Sequence, residues 1–383
     1  MLYESADIGD MKNKVISDGL GREATLLNDA DFFFHLTSDG KLQGAVGCAL
    51  DLHSLIKIDS SPSSSPLGST LRLTMTLPRG ERPLRIVGIA SAQERRCWSV
   101  ECNIHALTSS EASFHFLHVN SKYVRFPLDH LDTLYDSDIF VAADSSSIAT
   151  NWNVVLDPSA RLHFALGNLT THKGLLSHTV KANLHEGAQL VAAWMGLGGD
   201  KQTTDINIEC AGKNSQCELR TGILGSGGQQ NHLRAHITHT APASNSAVLS
   251  HGAVSGSATH QLDLRAHLTH EARNARAEQT NKNWILSPSS RIITQPQLEI
   301  DTGQVECRHG ATVSTVPQVP LYYLQSRGIA HEQATALLVQ GLLKPVAECF
   351  SGASPFLQDN YVQSTLEAQC ARLASESPQL KEA

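Results

Sequence analysis

The run LRAHITH (233–239) returns as LRAHLTH (264–270), 31 residues further along the chain. In both copies leucine, alanine and a second aliphatic residue alternate with arginine, histidine and threonine. Side chains of a β-strand point to opposite faces in turn, so each copy predicts a strand with one apolar and one polar face. A pattern that returns at a fixed interval is typical of stacked solenoid rungs. The repeat therefore favours a β-solenoid.

Short alternating runs of the same kind extend from Ser69 to Val313 and are separated by Gly, Asn, Asp and Ser. Each run fits a half-buried strand, and no clear helical pattern interrupts the series. Examples are TLRLTMTL (70–77), CWSVECNIH (97–105), RLHFALGNL (161–169), TDINIEC (204–210) and CELRTGIL (217–224). Without the repeat, these runs would also fit a sandwich pair or a propeller.

The end of the chain has a helical pattern. GIAHEQATALLVQGLLKPVAECF (328–350) and SPFLQDNYVQSTLEAQCARL (354–373) each place apolar residues at helical spacing, and the second run opens with Ser354 as N-cap and Pro355 at the first helical position. The stripe of the first helix is Ala334, Leu337, Leu338 and Leu342. Two amphipathic helices cannot build a large core, so we expect them to pack on the β body or on a partner.

These textures divide the chain into three parts. They are a mixed N-terminal segment and linker (1–68), a β-helix core (69–316) and a small C-terminal helical domain (317–383). In the first part, ATLLNDADFFFHL (24–36) fits a helix or a strand–helix junction, and SSPSSSPLGS (60–69) fits a linker.

Composition and charge argue against several classes of protein. The net charge of −7 gives no electrostatic reason to expect nucleic acid or an anionic membrane as the main partner. No apolar run approaches the roughly 20 residues of a membrane span. The N-terminus reads as neither a signal peptide nor a transit peptide. The eight cysteines include no Cys-x-x-Cys, which favours free thiols in a reducing cytoplasm.

One strand carries the main candidate site. In VECRHGATV (305–313), Cys307 and His309 lie two residues apart and therefore share a face of the strand, which we expect to break or bend at Gly310. Thiolate and imidazole both bind iron, but two ligands make an incomplete site, so a partner chain would supply the others. The alternative is a buried cysteine beside a histidine that only forms hydrogen bonds.

Other chemistry-bearing residues favour structural roles. The histidines of 232–270 resemble a metal cluster, but His236 and His239 should face opposite sides, although stacking could align His236 with His267. These histidines are His232, His236, His239, His260, His267 and His270. Cys210 and Cys217 could approach each other across a turn, but packing is the favoured role. GSGG (225–228) lacks the Lys-Ser/Thr of a phosphate loop and predicts a turn.

Four blocks carry a family resemblance. AEQTNKN (277–283), WILSPSSRIITQPQLEI (284–300), VECRHGATV (305–313) and LYYLQSRGI (321–329) resemble, in order and spacing, the SufB/SufD family of iron–sulfur cluster assembly proteins. The resemblance covers about 277–345. His-Gly-Ala at 309–311 is similar to the SufD type, since SufB-type chains tend to read His-Glu-Ala there.

The resemblance implies a mainly β fold, a right-handed parallel β-helix flanked by helices. It implies a non-catalytic scaffold that supports de novo cluster assembly or iron acquisition. The SufB-like partner would bind the β-helix, and a SufC-like ABC ATPase would bind the C-terminal helices. A homodimer in isolation is also allowed. Cys307 and His309 would hold a transient iron–sulfur cluster, or iron, shared with the partner chain and not bound tightly by this chain alone.

The chain departs from the family pattern at three places. Asp301-Thr302-Gly303-Gln304 replaces an acidic Tyr-Ala-Asp-Asp segment, Arg308 replaces a small residue, and Ala330 stands where a helix-capping Ser or Asn is expected. Two other functions remain open. One is a β-solenoid polysaccharide lyase or hydrolase, which would need a groove of clustered carboxylates and aromatic residues. The other is a purely architectural subunit.

Overall fold

The computed structural model describes residues 32–36, 42–46, 56–61, 69–80, 84–92, 97–120, 146–169, 174–350 and 361–376. Most of the mixed N-terminal segment, most of the Ser/Pro-rich tract at 60–69, and the expected cap at Ser354 and Pro355 lie outside these residues. The division of the chain at residues 68 and 316 stays a prediction.

Nineteen strands and three helices are formed by the described residues. The strands are β1 Phe32–Leu36, β2 Leu42–Val46, β3 Ile56–Ser61, β4 Ser69–Leu77, β5 Leu84–Ala92, β6 Cys97–Ala106, β7 Glu111–Asn120, β8 Ser146–Leu156, β9 Arg161–Asn168, β10 Gly174–Leu184, β11 Gln189–Gly196, β12 Lys201–Cys210, β13 Gln216–Gly225, β14 Gln230–His239, β15 Asn245–Val254, β16 Thr259–Leu268, β17 Arg276–Ile285, β18 Arg291–Ile300 and β19 Glu306–Ser314. The helices are α1 Gln318–Ser326, α2 His331–Ala347 and α3 Tyr361–Ser375.

The strands form a parallel β-solenoid, as the sequence predicts. From β4 onward, successive strands alternate between two sheets, so that each coil contributes one strand to each sheet. Antiparallel pairs occur only between β1 and β2 and between β3 and β4 in the described part of the chain. The expected helix or strand–helix junction at 24–36 ends in the strand β1. The right-handed sense of the coil stays a prediction.

The repeated heptapeptides lie on β14 and β16, which are neighbours in one sheet. Their structural register differs from the sequence repeat, because Leu233 pairs with Leu262 and Leu264 pairs with Ala235. The displacement is two residues, which preserves the face that each side chain occupies. His236 therefore pairs with Arg265, and His267 pairs with Thr238. The alignment of His236 with His267 that stacking could have allowed does not occur.

The solenoid interior is an apolar core along most of its length, and its inward side chains become polar on β17. Its N-terminal half is filled by an aromatic cluster, in which Trp152 lies 5.4 Å from Phe114 and 4.9 Å from Phe116, measured between ring centroids. Burial of each such side chain stabilises the fold by about 1.5–3 kcal/mol. Cys102, Cys210 and Cys217 belong to the same core, where burial raises the pKa of each thiol. The interpretation of Cys210 and Cys217 as packing residues agrees with their positions.

A second apolar cluster attaches the C-terminal helices to the solenoid. Helices α2 and α3 cover the outer face of the ten-stranded sheet, so the second halves of β9, β11 and β13 are buried on both faces. A Cβ at Gly222 would lie 3.3 Å from Leu343 and Val346, so glycine lets α2 lie close to the strand. The helices thus pack on their own β body, one of the two expected arrangements.

Polar contacts fix the position of α2. The ring nitrogens of His251 and His115 donate hydrogen bonds to the carbonyl oxygens of Leu342 at 2.6 Å and Cys349 at 3.1 Å, and Arg220 donates to that of Pro345 at 3.1 Å. Pro345 is within the last four residues of α2, whose carbonyls have no partner within the helix, so the bond from Arg220 satisfies one of them. The buried ring of His115 has its pKa lowered to about 4, chiefly by desolvation.

The predicted stripe of α2 requires one correction. Ala334 and Leu342 are buried as expected, but Leu337 is 46% exposed. Val339, Leu343 and Val346 occupy the buried face instead, because the sheet contacts a stripe rotated from the one chosen. Ala330 occupies the N-cap of α2 without a side-chain cap, as the sequence indicates. No helix in the described part of the chain is both long and apolar enough to cross a bilayer.

Candidate functional site

The candidate site lies on the last rung of the solenoid. β18 and β19 are the final strands of the two sheets, and within the described residues neither has a neighbour on its outer edge. Their inward-facing side chains are half-buried or exposed, whereas those of the preceding rung are buried. The interior of the solenoid is therefore open at this end, and two rows of backbone groups are free to pair.

Cys307 and His309 share the inward face of β19, as predicted. In the parallel register they pair with Ala277 and Gln279 of β17, both of which point into the core. Cys307 is half-buried and packs with Leu298 against a small alanine-rich cluster. His309 is exposed at the mouth of the solenoid. The pair thus combines one thiol and one imidazole on a surface that another chain could cover.

The thiol of Cys307 is protonated in the isolated chain at neutral pH. Desolvation raises its pKa above the ordinary value of 9.0, and a hydrogen bond with the backbone of Ala277 opposes this only in part. Metal binding requires the thiolate, so a metal must displace the proton when it binds. Among the described residues, no three His, Cys, Asp or Glu side chains are grouped closely enough to hold a metal ion.

Gly310 does not interrupt the strand. β19 continues from Glu306 to Ser314, and Gly310 pairs with Thr280 within the ladder. The expected break is wrong, because an extended glycine backbone that is paired on one side continues the parallel ladder. Arg308 points outward and contacts Glu306 at 3.2 Å, so this departure from the family pattern lies on the face opposite Cys307 and His309.

The histidine-rich strands form no single site. His232 and His267 pair with Asp263 at 2.8 Å and Asp301 at 2.9 Å. His239 points inward and hydrogen-bonds Ser244 and Ser246, each at 2.8 Å. Of the others, His260 is buried, His236 is half-buried and His270 is exposed. Hydrogen-bonded histidines distributed over both faces agree with the structural role that the sequence favours.

The GSGG tract forms the predicted turn. Its Gly227 backbone N–H donates a 2.7 Å hydrogen bond to the Glu376 carboxylate, and Gly227 has the positive φ of 59° that favours glycine. Ser255 Oγ donates to the same carboxylate at 3.1 Å. These contacts hold the end of α3 against the solenoid.

Sequence reasoning missed the polar interior beneath the last rung. The inward positions of β17 are Ala277, Gln279, Asn281 and Asn283, and all four are buried. Asn283 donates to Asn281, which in turn donates to Thr294 of β18. The signal was present in AEQTNKN, because a strand whose inward positions are polar departs from the alternation that fills an apolar core.

The helical domain presents a second surface. Val319, Tyr322 and Tyr323 of α1 and Leu337 of α2 are exposed. A groove of about 450 Å³ runs between α2 and α3, with Leu337, Gln340 and Lys344 along one wall. Of the four exposed residues, Leu337 lines the groove, and exposed apolar side chains of this kind are typical of a protein-binding surface.

Comparison with known sequences finds one family. The sequence model of the SUF system FeS cluster assembly SufBD core domain matches residues 133–342, more than half of the chain. The chain is 31% identical over 192 residues to the iron–sulfur cluster assembly protein SufD of Bacillus subtilis, covering 50% of this chain and 44% of that protein. It is 24% identical over 234 residues to SufD of Escherichia coli, covering 60% and 55%. The chain thus spans about half the length of these curated relatives.

Proposed function

The chain belongs to the SufBD family of the SUF system for iron–sulfur cluster assembly, and we propose that it is a SufD-like scaffold subunit that performs no catalysis itself. In this proposal it supports de novo assembly of a cluster, or acquisition of iron, within a complex. ATP hydrolysis belongs to a separate SufC-like partner, since no phosphate-loop motif occurs in the sequence.

The observation that carries the proposal is the position of Cys307 and His309. They share the inward face of the last rung, which has no strand on its outer edge among the described residues. A thiolate and a neutral imidazole are both iron ligands, and two ligands need others to complete a cluster site. The nascent cluster is therefore a transient cargo shared with a second chain, and this chain alone does not hold it tightly.

The free edges of β18 and β19 support a SufB-like partner at this end. Unpaired backbone groups on an edge strand bind another strand through main-chain hydrogen bonds. A partner that extends the solenoid in this way would place its own ligands beside His309. It would also bury the half-exposed Leu298 and Ile292. A second copy of this chain could pair with the same edges, which is the homodimer that the sequence allows in isolation.

The helical domain supports docking of a SufC-like ABC ATPase. The apolar stripes of α2 and α3 are already buried against the solenoid, so a partner would contact the opposite surface. That surface includes Leu337, Tyr322 and the groove between α2 and α3. Exposed tyrosine side chains such as Tyr322 are among the anchors that are enriched at interface hot spots.

A polysaccharide lyase or hydrolase is disfavoured by the distribution of carboxylates. On the outer face of the solenoid, Asp205 and Glu299 pair with Arg234 and Arg265, and Asp263 pairs with His232. A glycoside-cleaving site needs two carboxylates that face one sugar. The most exposed tyrosines of the described chain, Tyr322 and Tyr323, lie on α1 and away from the solenoid faces.

A cytoplasmic location is also part of the proposal. Six cysteines in the described residues are free thiols. Free thiols persist in a reducing compartment, whereas secreted proteins tend to form disulfides.

Co-purification tests the proposed function. The chain would be co-expressed with SufB-like and SufC-like subunits, purified through a tag on this chain without oxygen, and scanned in the visible range. We expect a complex of all three chains with the broad absorbance of an iron–sulfur cluster. A stable but colourless complex would leave only the architectural role. Purification of this chain free of both subunits would contradict the proposal.

A further inference from the structure

Gln279 lies directly beneath His309 in the solenoid. The two residues are register partners on β17 and β19, so their Cα atoms lie one strand spacing apart, about 4.8 Å. Both occupy the inward face, because Ala277, Gln279 and Asn281 are buried in alternation along β17. Each rung of the solenoid stacks on the preceding one, so His309 stacks on Gln279.

The side-chain oxygen of Gln279 has no hydrogen-bond partner. Gln279 is 2% exposed, and its Oε1 is buried without a donor. The neighbouring polar residues do not supply one, since Asn283 donates to Asn281 and Asn281 donates across the interior to Thr294. A buried amide oxygen without a donor is costly, by about 1–3 kcal/mol, and such an atom calls for an explanation.

His309 is the side chain placed to supply the donor. A neutral imidazole carries one N–H and one bare nitrogen, and the hydrogen bond made by the first decides which nitrogen remains for a metal. Histidines that bind metals usually donate their other ring N–H to a carboxylate, a carbonyl or water, which fixes the tautomer and the orientation of the ring. An amide oxygen of glutamine offers the same acceptor.

We infer that Gln279 is a positioning residue for His309. The His309 ring is exposed and Oε1 is unpartnered, so a turn of the ring toward the interior would let Oε1 accept its ring N–H. That bond would select one tautomer and leave the other ring nitrogen for a metal. This inference rests on the proposed function for the choice of iron as the species bound. The hydrogen bond would involve only this chain's own residues, so it can be measured without iron or a partner chain. Gln279 does not touch the metal and acts only through His309.

The ring nitrogens of His309 report the hydrogen bond directly. The full chain would be labelled with ¹⁵N-histidine, and the signals of His309 identified by their loss in His309→Ala. We expect one dominant tautomer in the unchanged chain. Gln279→Leu removes the acceptor and should change the tautomer ratio about fivefold, since one hydrogen bond is worth about 1 kcal/mol. Gln279→Glu keeps an acceptor oxygen and should retain the dominant tautomer.

A matched substitution controls for general effects of the change. Gln297→Leu alters an exposed glutamine on the outward face of β18 and should leave the His309 signals unchanged. Circular dichroism and thermal unfolding verify that each variant is folded. An unchanged tautomer ratio in folded Gln279→Leu would overturn the inference.

Iron measured in the co-expressed complex separates this inference from the proposed function. Loss of an outer hydrogen-bond partner typically weakens metal binding about 10–100-fold, so the Gln279→Leu complex should retain much less iron. A changed tautomer ratio with full iron content would support the positioning role of Gln279 and contradict His309 as a cluster ligand. Reduced iron with an unchanged ratio would overturn the positioning role alone.

Discussion

Cys307 lies one strand spacing from Ala277, and its sulfur is hydrogen-bonded to the Ala277 backbone while its side chain packs against the alanine-rich cluster. The hydrogen bond favours the thiolate and the burial disfavours it, and the burial is the larger effect. Cys307 in the isolated chain is therefore a protonated thiol on the last rung, and a metal that binds it must displace the proton.

Alkylation measures this protonation state. We predict that iodoacetamide modifies Cys307 slowly at pH 7 and that the rate rises with a midpoint above pH 9.0, because only the thiolate reacts. Peptide mapping by mass spectrometry would follow Cys307 separately from the buried Cys210 and Cys217, which should remain unmodified while the chain is folded. Rapid alkylation of Cys307 at pH 7 would show that its thiol is already ionised.

Buried neutral histidines predict acid sensitivity. Desolvation lowers the pKa of four histidines to about 4, from 6.5, so the unfolded chain binds protons that the folded chain does not. Stability is then fully present above pH 6.5 and falls as the pH drops toward 4. The four are His115, His178, His239 and His260. Each should contribute a slope of about 1 kcal/mol per pH unit.

Denaturant unfolding between pH 7 and 5 would measure that slope. In His178→Gln the free energy of unfolding should fall less steeply with decreasing pH, because one histidine fewer takes up a proton on unfolding. His185→Gln, at an exposed histidine in the turn after β10, is the matched substitution. Equal slopes in the unchanged chain and the His178→Gln variant would contradict the assignment.

The exposed face of the helical domain predicts a docking variant. Leu337→Ser removes an exposed leucine beside the groove of α2 and α3, and we expect it to weaken binding of the SufC-like ATPase at least tenfold without unfolding the chain. Leu175→Ser is the matched control, since Leu175 is 56% exposed on β10 of the solenoid. Equal affinity of the two variants for the ATPase would exclude this surface.

A point substitution suits this test better than removal of the helices. Helices α2 and α3 cover Met195, Leu197 and Leu224 on the outer face of the sheet. A chain truncated before α2 would expose that apolar surface, so its failure to bind a partner could follow from aggregation.

The solenoid could be predicted because its signal is local. The alternation in LRAHITH decides which side chains face inward, whatever their neighbours. The register could not be predicted, because the turns between strands vary in length and move Leu264 beside Ala235 instead of Leu233. A sequence repeat therefore predicts which side chains of a strand face inward more reliably than it predicts which residues they pair with on the neighbouring strand.

The sequence predicts that the helices cover the sheet, but it does not predict how α2 is oriented on it. The apolar run of VAAWMG (191–196) is longer than alternation requires and is typical of a strand buried on both faces. The contacts that orient α2 join residues far apart in the sequence, such as His115 and Cys349, and no local sequence pattern predicts them. Gln279 was missed for the same reason, because its role depends on the strand that lies above it.

The thiol should contribute less to cluster binding than the imidazole. Cys307→Ala removes a half-buried group that also packs against the alanine-rich cluster, and the hydrophobic contact can be partly retained by the alanine methyl. We predict a moderate loss of iron and acid-labile sulfide from the co-expressed complex, smaller than that of His309→Ala. Complete loss with Cys307→Ala and full retention with His309→Ala would reverse this order.

The central claim is that His309 helps to hold a nascent cluster shared with a partner. The direct measurement is iron and acid-labile sulfide per complex, after co-expression of His309→Ala with SufB-like and SufC-like subunits. The parallel control is His185→Ala, an exposed histidine several rungs from the open end. We predict that both variants fold and assemble, that His185→Ala keeps the full cluster content, and that His309→Ala loses most of it. Full cluster content in the His309→Ala complex would contradict the claim and leave this chain an architectural subunit.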